Sequence, residues 1–534
     1  MKSSTKLALA LSAVMAIAAQ TAGAAPTADN TLYVSGATAV DRTLFEAILD
    51  QTNGVCDSTN PITVYSSGTA STDSVPKSYG NFMVHCTARD TTSFGGTVEI
   101  GISKTSQGSE YGIDPVANGA TTLTVNGSTV SVTSLTTTCT ASKTVAVSTA
   151  NTRLGYTFFY GCSTATTQAP QAGVSDVEPA LFGASGTVKA RLTNNGAATV
   201  PFTMFVSKNF FRALQTAQGL TGACLTDTAL TQTDACTPNL NMVQVRAILS
   251  GYVSTVSGLY AGSTALTAPS GGDSLLVCRR ANSSGSQRSV ERLFFNQNCK
   301  ATPAVTFVKD DSVVNASSQP CLDVGCSWSN TTPTGAGGVA ENFIFQGTGT
   351  GDVESCMNWA AGTFTGGGAA GAASVDAGNG IYAVGIASAD RTPDDTNTTS
   401  GKQYRYIKID GVLPSVENVL AQKWQHTTEN VVLTPTAASP NTTAYNTGLR
   451  PTIANAVLTQ LRVPANLAKS ANTTYATGRI GLTTRPSATQ TPAATDTASV
   501  RPLAPFLRAA DASNAPVNNC NENFISIGSP VKAN

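Results

Sequence analysis

A short apolar run, Leu275 to Cys278, passes through Arg279-Arg280-Ala281 into a small polar turn, Asn282-Ser283-Ser284-Gly285-Ser286. It then enters a stretch that spaces Val290, Leu293 and Phe294 like one face of a helix. This succession constrains the fold more than any other feature, because a strand feeding a helix through a Ser/Gly turn is the unit of an α/β sheet. The same pattern opens the chain, where Thr31 to Val34 run into Ser35-Gly36-Ala37-Thr38-Ala39 and then a helix bearing Leu44, Phe45, Ile48 and Leu49. A third strand, Val98 to Ile102, ends in another Ser/Gly turn, Ser103-Lys104-Thr105-Ser106-Gln107-Gly108-Ser109. Repeated turns of this kind predict an open α/β sheet whose ligands gather at the carboxyl ends of its strands. Unpaired N–H groups and the positive end of the dipole at such a helix start favour an anion, and Arg280 adds a planar fork of donors. The alternative is that Ser284 or Ser286 merely caps a helix.

Between Thr121 and Cys162 the pattern changes to period-two alternation around Asn126-Gly127, a hairpin signal, which predicts an inserted β-ribbon. Gly173-Val174-Ser175-Asp176 reads as a strand with an acid at its tip. Helices are expected near 210–218 and 242–249, with further strands at 381–386 and 404–409. Gly347-Thr348-Gly349-Thr350-Gly351 lacks the lysine of a phosphate loop and reads as a linker. The expected organisation is a leader at 1–24, a first lobe at 25–200 with the ribbon at 121–162, a second lobe at 201–430, and a return to the first lobe with a loop-rich tail at 431–534.

Charge excludes some functions. Only 12% of the 534 residues are charged, and Lys+Arg and Asp+Glu are both 32, so there is no basic field to hold nucleic acid. Lys2 and Lys6, an apolar run from Leu7 to Ala19 and Ala22-Gly23-Ala24 have the pattern of a secretory leader cleaved after Ala24, which places the mature chain in the periplasm or outside the cell. No later stretch has the length of a membrane span. The 12 cysteines all follow the leader, so disulfides are expected, with neighbours suggesting Cys56 with Cys86, Cys139 with Cys162, Cys224 with Cys236, Cys278 with Cys299 and Cys321 with Cys326. Cys356 and Cys520 are left over in that scheme. Irregular spacing and only two histidines, His85 and His426, argue against a zinc site, and no other cofactor is expected.

Gly36-Ala37-Thr38, Gly173 to Asp176 and Arg280 through Ser286, in that order, resemble the ligand-binding segments of the type II periplasmic binding proteins of the phosphate transporter family. The resemblance implies two α/β lobes joined by crossover strands, with phosphate or a similar small oxyanion enclosed between them and an ABC transporter membrane complex as partner. Residue by residue, it places Thr38 and Ser106 in the first-lobe turns, Asp176 as the cleft acid, and Arg280, Ser284, Gly285 and Ser286 in the second-lobe half. Ser286 stands where the family usually has threonine, Ala39 where it has phenylalanine, Ser283 where it has glycine and Asn282 where it has aspartate. An ionised carboxylate only accepts hydrogen bonds, so Asp176 beside an oxyanion would select one that carries a proton; its other reading is a cap on the turn before Pro179.

No Gly-x-Ser-x-Gly elbow is present, so catalysis is not expected. His85 alternates like a strand residue, and His426 reads as a surface or interlobe residue. Arg288 and Arg292, four apart with Glu291 nearby, read as a solvated helix face outside the site. The competing function is a secreted structural or adhesion protein on a binding-protein scaffold that has lost its ligand, supported by low charge and many disulfides.

Overall fold

The computed structural model describes residues 27–296, 343–361, 382–388 and 403–461, with short gaps at 39, 69–80, 126–127, 149–152, 348–349, 416–417 and 420–422 and within 227–231 and 260–274, together with isolated residues and short strands elsewhere. The expected leader and the Cys321–Cys326 pair lie outside the described residues, as does most of the tail.

Twelve strands form the spine of one mixed sheet: β1 (Thr31–Ala37), β2 (Thr63–Ser66), β3 (Phe82–Thr87), β4 (Glu99–Gln107), β5 (Ala141–Val145), β6 (Tyr156–Tyr160), β7 (Ala172–Ser175), β8 (Leu192–Ser207), β9 (Leu275–Arg280), β10 (Phe343–Gly347), β11 (Tyr382–Ser388) and β12 (Thr427–Pro435). Their spatial order is β10-β9-β11-β8-β12-β7-β1-β4-β3-β2-β6-β5. The segment expected as a ribbon holds a hairpin of Thr122–Val125 with Ser128–Ser131, and its later strands β5 and β6 extend the sheet at its edge.

The sheet has two halves with separate cores. In the first, α1 (Asp41–Leu49) buries Leu44, Phe45, Ile48 and Leu49, the residues spaced for it, against β1, β3 and β4 and against Ile453, Val457 and Leu461 of the last described helix. In the second, Phe210, Phe211 and Leu214 of α2 (Lys208–Ala217), Val245 and Ile248 of α3 (Met242–Leu249), and Val290, Leu293 and Phe294 of α4 (Gly285–Phe295) enclose β9 and β11. Two long strands carry the chain between the halves. β8 pairs with β12 from Leu192 to Gly196 and again from Thr199 to Pro201, and the ladder slips by one residue between them; its last residues then pair with β11. The passage is a β-bulge, the usual way a strand is bent without breaking its sheet.

Parallel strands send their carboxyl ends the same way. β1 lies parallel to both β4 and β7, so residues following Ala37, Gln107 and Ser175 gather along one edge of the first lobe. β9 lies parallel to β10 and β11, and its end leads into α4.

Three expected disulfides are present: Cys56–Cys86, Cys139–Cys162 and Cys224–Cys236. Pairing of Cys278 with Cys299 is corrected: Cys278 joins Cys356, 78 residues on. Cys278 faces the layer formed by Val353, Cys356 and Met357 of α5 (Thr350–Ala360), so packing of that helix over β9 decides the pairing, not nearness in sequence. Cys520 is also in a disulfide, with a partner outside the described residues. The stretch expected as a linker at 347–351 instead ends β10 and starts α5. No helix among the described residues is long and apolar enough to cross a membrane.

Candidate functional site

The two lobes meet where the end of β4 and the end of β7 face the start of α4. β4 runs on to Gln107, paired with Ala37 of β1, so Ser106 is a strand residue and not part of a turn. The turn begins at Gly108 and brings Ser109, which the sequence pattern did not single out, to the seam. A Cβ on Gly108 would lie 2.7 Å from the Ser283 carbonyl oxygen, and the Glu110 N–H donates to that same oxygen at 3.2 Å. A Cβ on Gly285 would lie 2.2 Å from Ser109 Oγ and 2.8 Å from Asp176 Cβ. Only glycine fits there.

Asp176, buried at the tip of β7, is the centre of the seam. Its Oδ2 accepts from Ser286 Oγ of the second lobe at 3.1 Å, and its Oδ1 accepts from Asn430 Nδ2 of the crossover strand at 3.1 Å. Its backbone N–H donates to Ser109 Oγ at 3.1 Å. The carboxylate thus sits beside the first turn of α4, where Ser284 is the N-cap but makes no side-chain cap bond. A negative charge at a partly buried helix start is worth about 0.3–2 kcal/mol. Of the expected site residues, the structure brings Asp176, Gly285 and Ser286 into contact. Arg280 is buried and donates Nη1 to Thr350 Oγ1 at 2.7 Å.

On the first-lobe side Thr38 follows β1, half-buried, with its carbonyl accepting the Asp41 N–H at 3.2 Å. Ser106 gives its N–H to Asn81 Oδ1 at 3.1 Å, while its buried Oγ makes no hydrogen bond among the described residues. Sequence reasoning missed the charge that organises this edge. Lys104 is fully buried and donates Nζ to the carbonyls of Gly36 at 3.0 Å, Ala37 at 3.3 Å and Thr105 at 3.1 Å, with Asp41 Oδ1 at 3.1 Å. Burial lowers the Lys104 pKa, and the carboxylates of Asp41 and Asp176 oppose that shift. A lysine at the end of a strand gives no sequence signal for burial, since lysine is normally exposed.

Arg288 and Arg292 are not a solvated face. Burial lowers Arg292 to about 10, opposed by Glu178 of the first lobe, and the Arg288 guanidinium lies 5.6 Å from the centre of the Phe182 ring. Arg288 also pairs with buried Glu291 at 2.8 Å, which accepts from Gln287 at 3.2 Å. One helical face therefore rests on the other lobe, which the period of α4 alone could not reveal. The Glu110 carboxyl, on the facing first-lobe turn, is pushed up by burial and by Asp114.

His85 is a core residue: its ring lies 5.2 Å from that of Tyr65 and burial lowers its pKa to about 4. His426 packs between Phe294 and Trp424, each 4.9 Å away, against the core of the second lobe. A cavity of about 410 Å³ lies past the opposite end of α1, between Thr52, Arg89 and Thr459. The Arg89 guanidinium is taken up there by the carbonyls of Asp50, Gln51, Gly54 and Cys56. No cluster of metal-ligating side chains occurs among the described residues.

No family model matches the chain, and no curated protein matches it. Solved structures do. A Clostridium perfringens protein described as a phosphate ABC transporter substrate-binding protein, with bound phosphate, is 12% identical over 85% of this chain and 99% of its own, with a TM-score of 0.36. An ABC-type phosphate transport receptor from Vibrio cholerae is 11% identical over 55% of this chain and 79% of its own, at 0.27. PstS from Borrelia burgdorferi is 10% identical over 55% and 78%, at 0.24. Likenesses this distant add no argument about the site, which rests on the geometry above.

Proposed function

We propose that the chain is an exported solute-binding protein that closes two lobes on a small oxyanion carrying a proton, phosphate or a close relative, without catalysis. Delivery of that solute to an ABC transporter membrane complex belongs to the same proposal. The observation that carries it is the meeting at Asp176, where a buried acid from one lobe faces the N-terminal turn of α4 from the other. A hydroxyl-bearing oxyanion can donate to the acid while its ionised oxygens accept from the α4 N–H groups and from the hydroxyls of Ser286, Ser106 and Thr38. Arg280 adds a fixed positive charge. Hydrogen phosphate meets this requirement and sulfate does not.

A second reading, a scaffold that has lost its solute and serves a structural or adhesive role outside the cell, is favoured by a specific observation. At Gly285 the protein's own groups approach so closely that a side chain there would meet Ser109. The experiment is to unfold and refold the mature protein with disulfides intact, removing any bound solute, and to titrate it calorimetrically with phosphate and with sulfate. Heat with phosphate alone, weakened roughly tenfold in Ser286→Ala and with sulfate admitted in Asp176→Asn, is expected if the first reading holds. No heat with either anion from folded protein leaves the second.

A further inference from the structure

Asn430 lies on β12, the strand that returns from the second lobe to the first. Its neighbours fix its place: Val431 pairs with Ser175 of β7 and with Gly196 of β8, whereas Glu429 pairs with Thr199. Asn430 therefore stands opposite the bulge in β8 on one side and opposite Asp176, the residue after Ser175, on the other. Its side chain is only 1% exposed. The amide orientation is dictated by charge, because Nδ2 facing Asp176 Oδ1 at 3.1 Å donates, while the flipped amide would set oxygen against carboxylate. That leaves Asn430 Oδ1 buried and without a hydrogen-bond donor among the described residues, one carboxamide's width from the carboxylate.

We propose that Asn430 is a specificity-determining residue of the oxyanion site, supplying beside Asp176 a second acceptor that reads a second proton on the solute. The inference rests on the oxyanion-binding reading. An amide oxygen and a carboxylate side by side both need donors. A singly charged oxyanion with two hydroxyls, dihydrogen phosphate, offers two; the doubly charged form offers one and leaves an acceptor facing an unprotonated oxygen.

Charged groups around this pair come from several elements, among them Glu110 on the first-lobe turn facing α4, whose carboxyl is pushed up by burial. Lys104 of β4 acts on Asp176 and is itself held by Asp41 of α1; Glu429 adjoins Asn430 on β12; Glu178, past the end of β7, faces Arg292 of α4. All of them are retained in Asn430→Leu, so a difference in pH dependence between that variant and the natural protein isolates the amide. Isothermal titration with inorganic phosphate at about pH 5.5 and about pH 8.5 brackets the second phosphate ionisation. The natural protein is expected to bind more tightly at the lower pH, and Asn430→Leu to lose roughly tenfold in affinity there, with its preference for low pH reduced. A purely structural role for Asn430 would lower the melting temperature and leave the ratio between the two pH values unchanged, which would overturn the proposal. Should Asn430→Leu fail to fold, equal affinity of the natural protein at both pH values overturns it instead. Absence of phosphate binding by the natural protein overturns this inference together with the oxyanion reading, whereas binding that Asn430→Leu leaves untouched overturns this inference alone.

Discussion

Helices α1 and α4 both begin just past a buried strand and both face a carboxylate at their first turn, but the carboxylates have different origins. That of α1 is its own first residue, Asp41, held by Lys104 from the neighbouring strand of the same lobe. That of α4 is Asp176, which belongs to the opposite lobe. The first arrangement is complete as soon as one lobe folds and contributes only to its stability. The second forms only when the lobes meet, so its energy favours closure. Two similar helix starts thus do different jobs because of where the counter-charge is attached to the chain.

The contrast can be broken most forcefully at Lys104. Lys104→Met leaves the Asp41 carboxylate buried without its cation, and a loss of about 3–5 kcal/mol in urea unfolding is expected. Adding Asp41→Leu should restore much of it, since replacing both charges by apolar groups is often neutral. If Lys104→Met instead left stability intact and changed only the balance between open and closed lobes, the intralobe role would fail.

A smaller effect on the intralobe side comes from pH. His85 is held neutral by burial, at about 4 when folded against about 6.5 when unfolded. Between these values the unfolded chain binds the proton first, so stability rises with pH through this window and is lost as pH falls through it, by about 3 kcal/mol in all. Chemical unfolding followed from about pH 7 to about pH 4 should give that slope, and His85→Phe should flatten it. An unchanged slope in the variant would assign it to other groups.

The smallest expected effect on folding, and the sharpest on closure, is at the seam. Gly285→Ala places a methyl against Ser109 and Asp176, an overpacking of about 1–3 kcal/mol that opening the lobes relieves. Small-angle scattering should report a larger radius of gyration, phosphate binding should weaken, and the unfolding of each core should shift little. The same radius in both proteins would mean that the seam adapts locally and that its contacts do not govern closure.

How much of this was legible depends on the range of the interaction. The residues spaced for α1 and α4 are the ones that are buried, because a helical face repeats within a dozen residues. The three local disulfides are legible for the same reason. The boundary of β4 was not, since Ser103 to Gln107 look like a turn by composition and become strand only through pairing with Tyr33 to Ala37. The arginines of α4 were misread because their exposure is set by the other lobe.

By itself, then, the sequence determined the strand, turn and helix units, the acid at the end of β7 and the small residues at the start of α4, all features carried by short stretches of chain. Tertiary structure alone decided that Cys278 meets Cys356, that Lys104 is buried behind the first turn, that Ser109 and Gly285 touch, and that Asn430 lies against Asp176 from 254 residues away. The physical reason is register. Which side chains share a seam is fixed by how strands pair and where the crossover ladder slips, and those pairings are made between segments whose separation along the chain leaves no local trace.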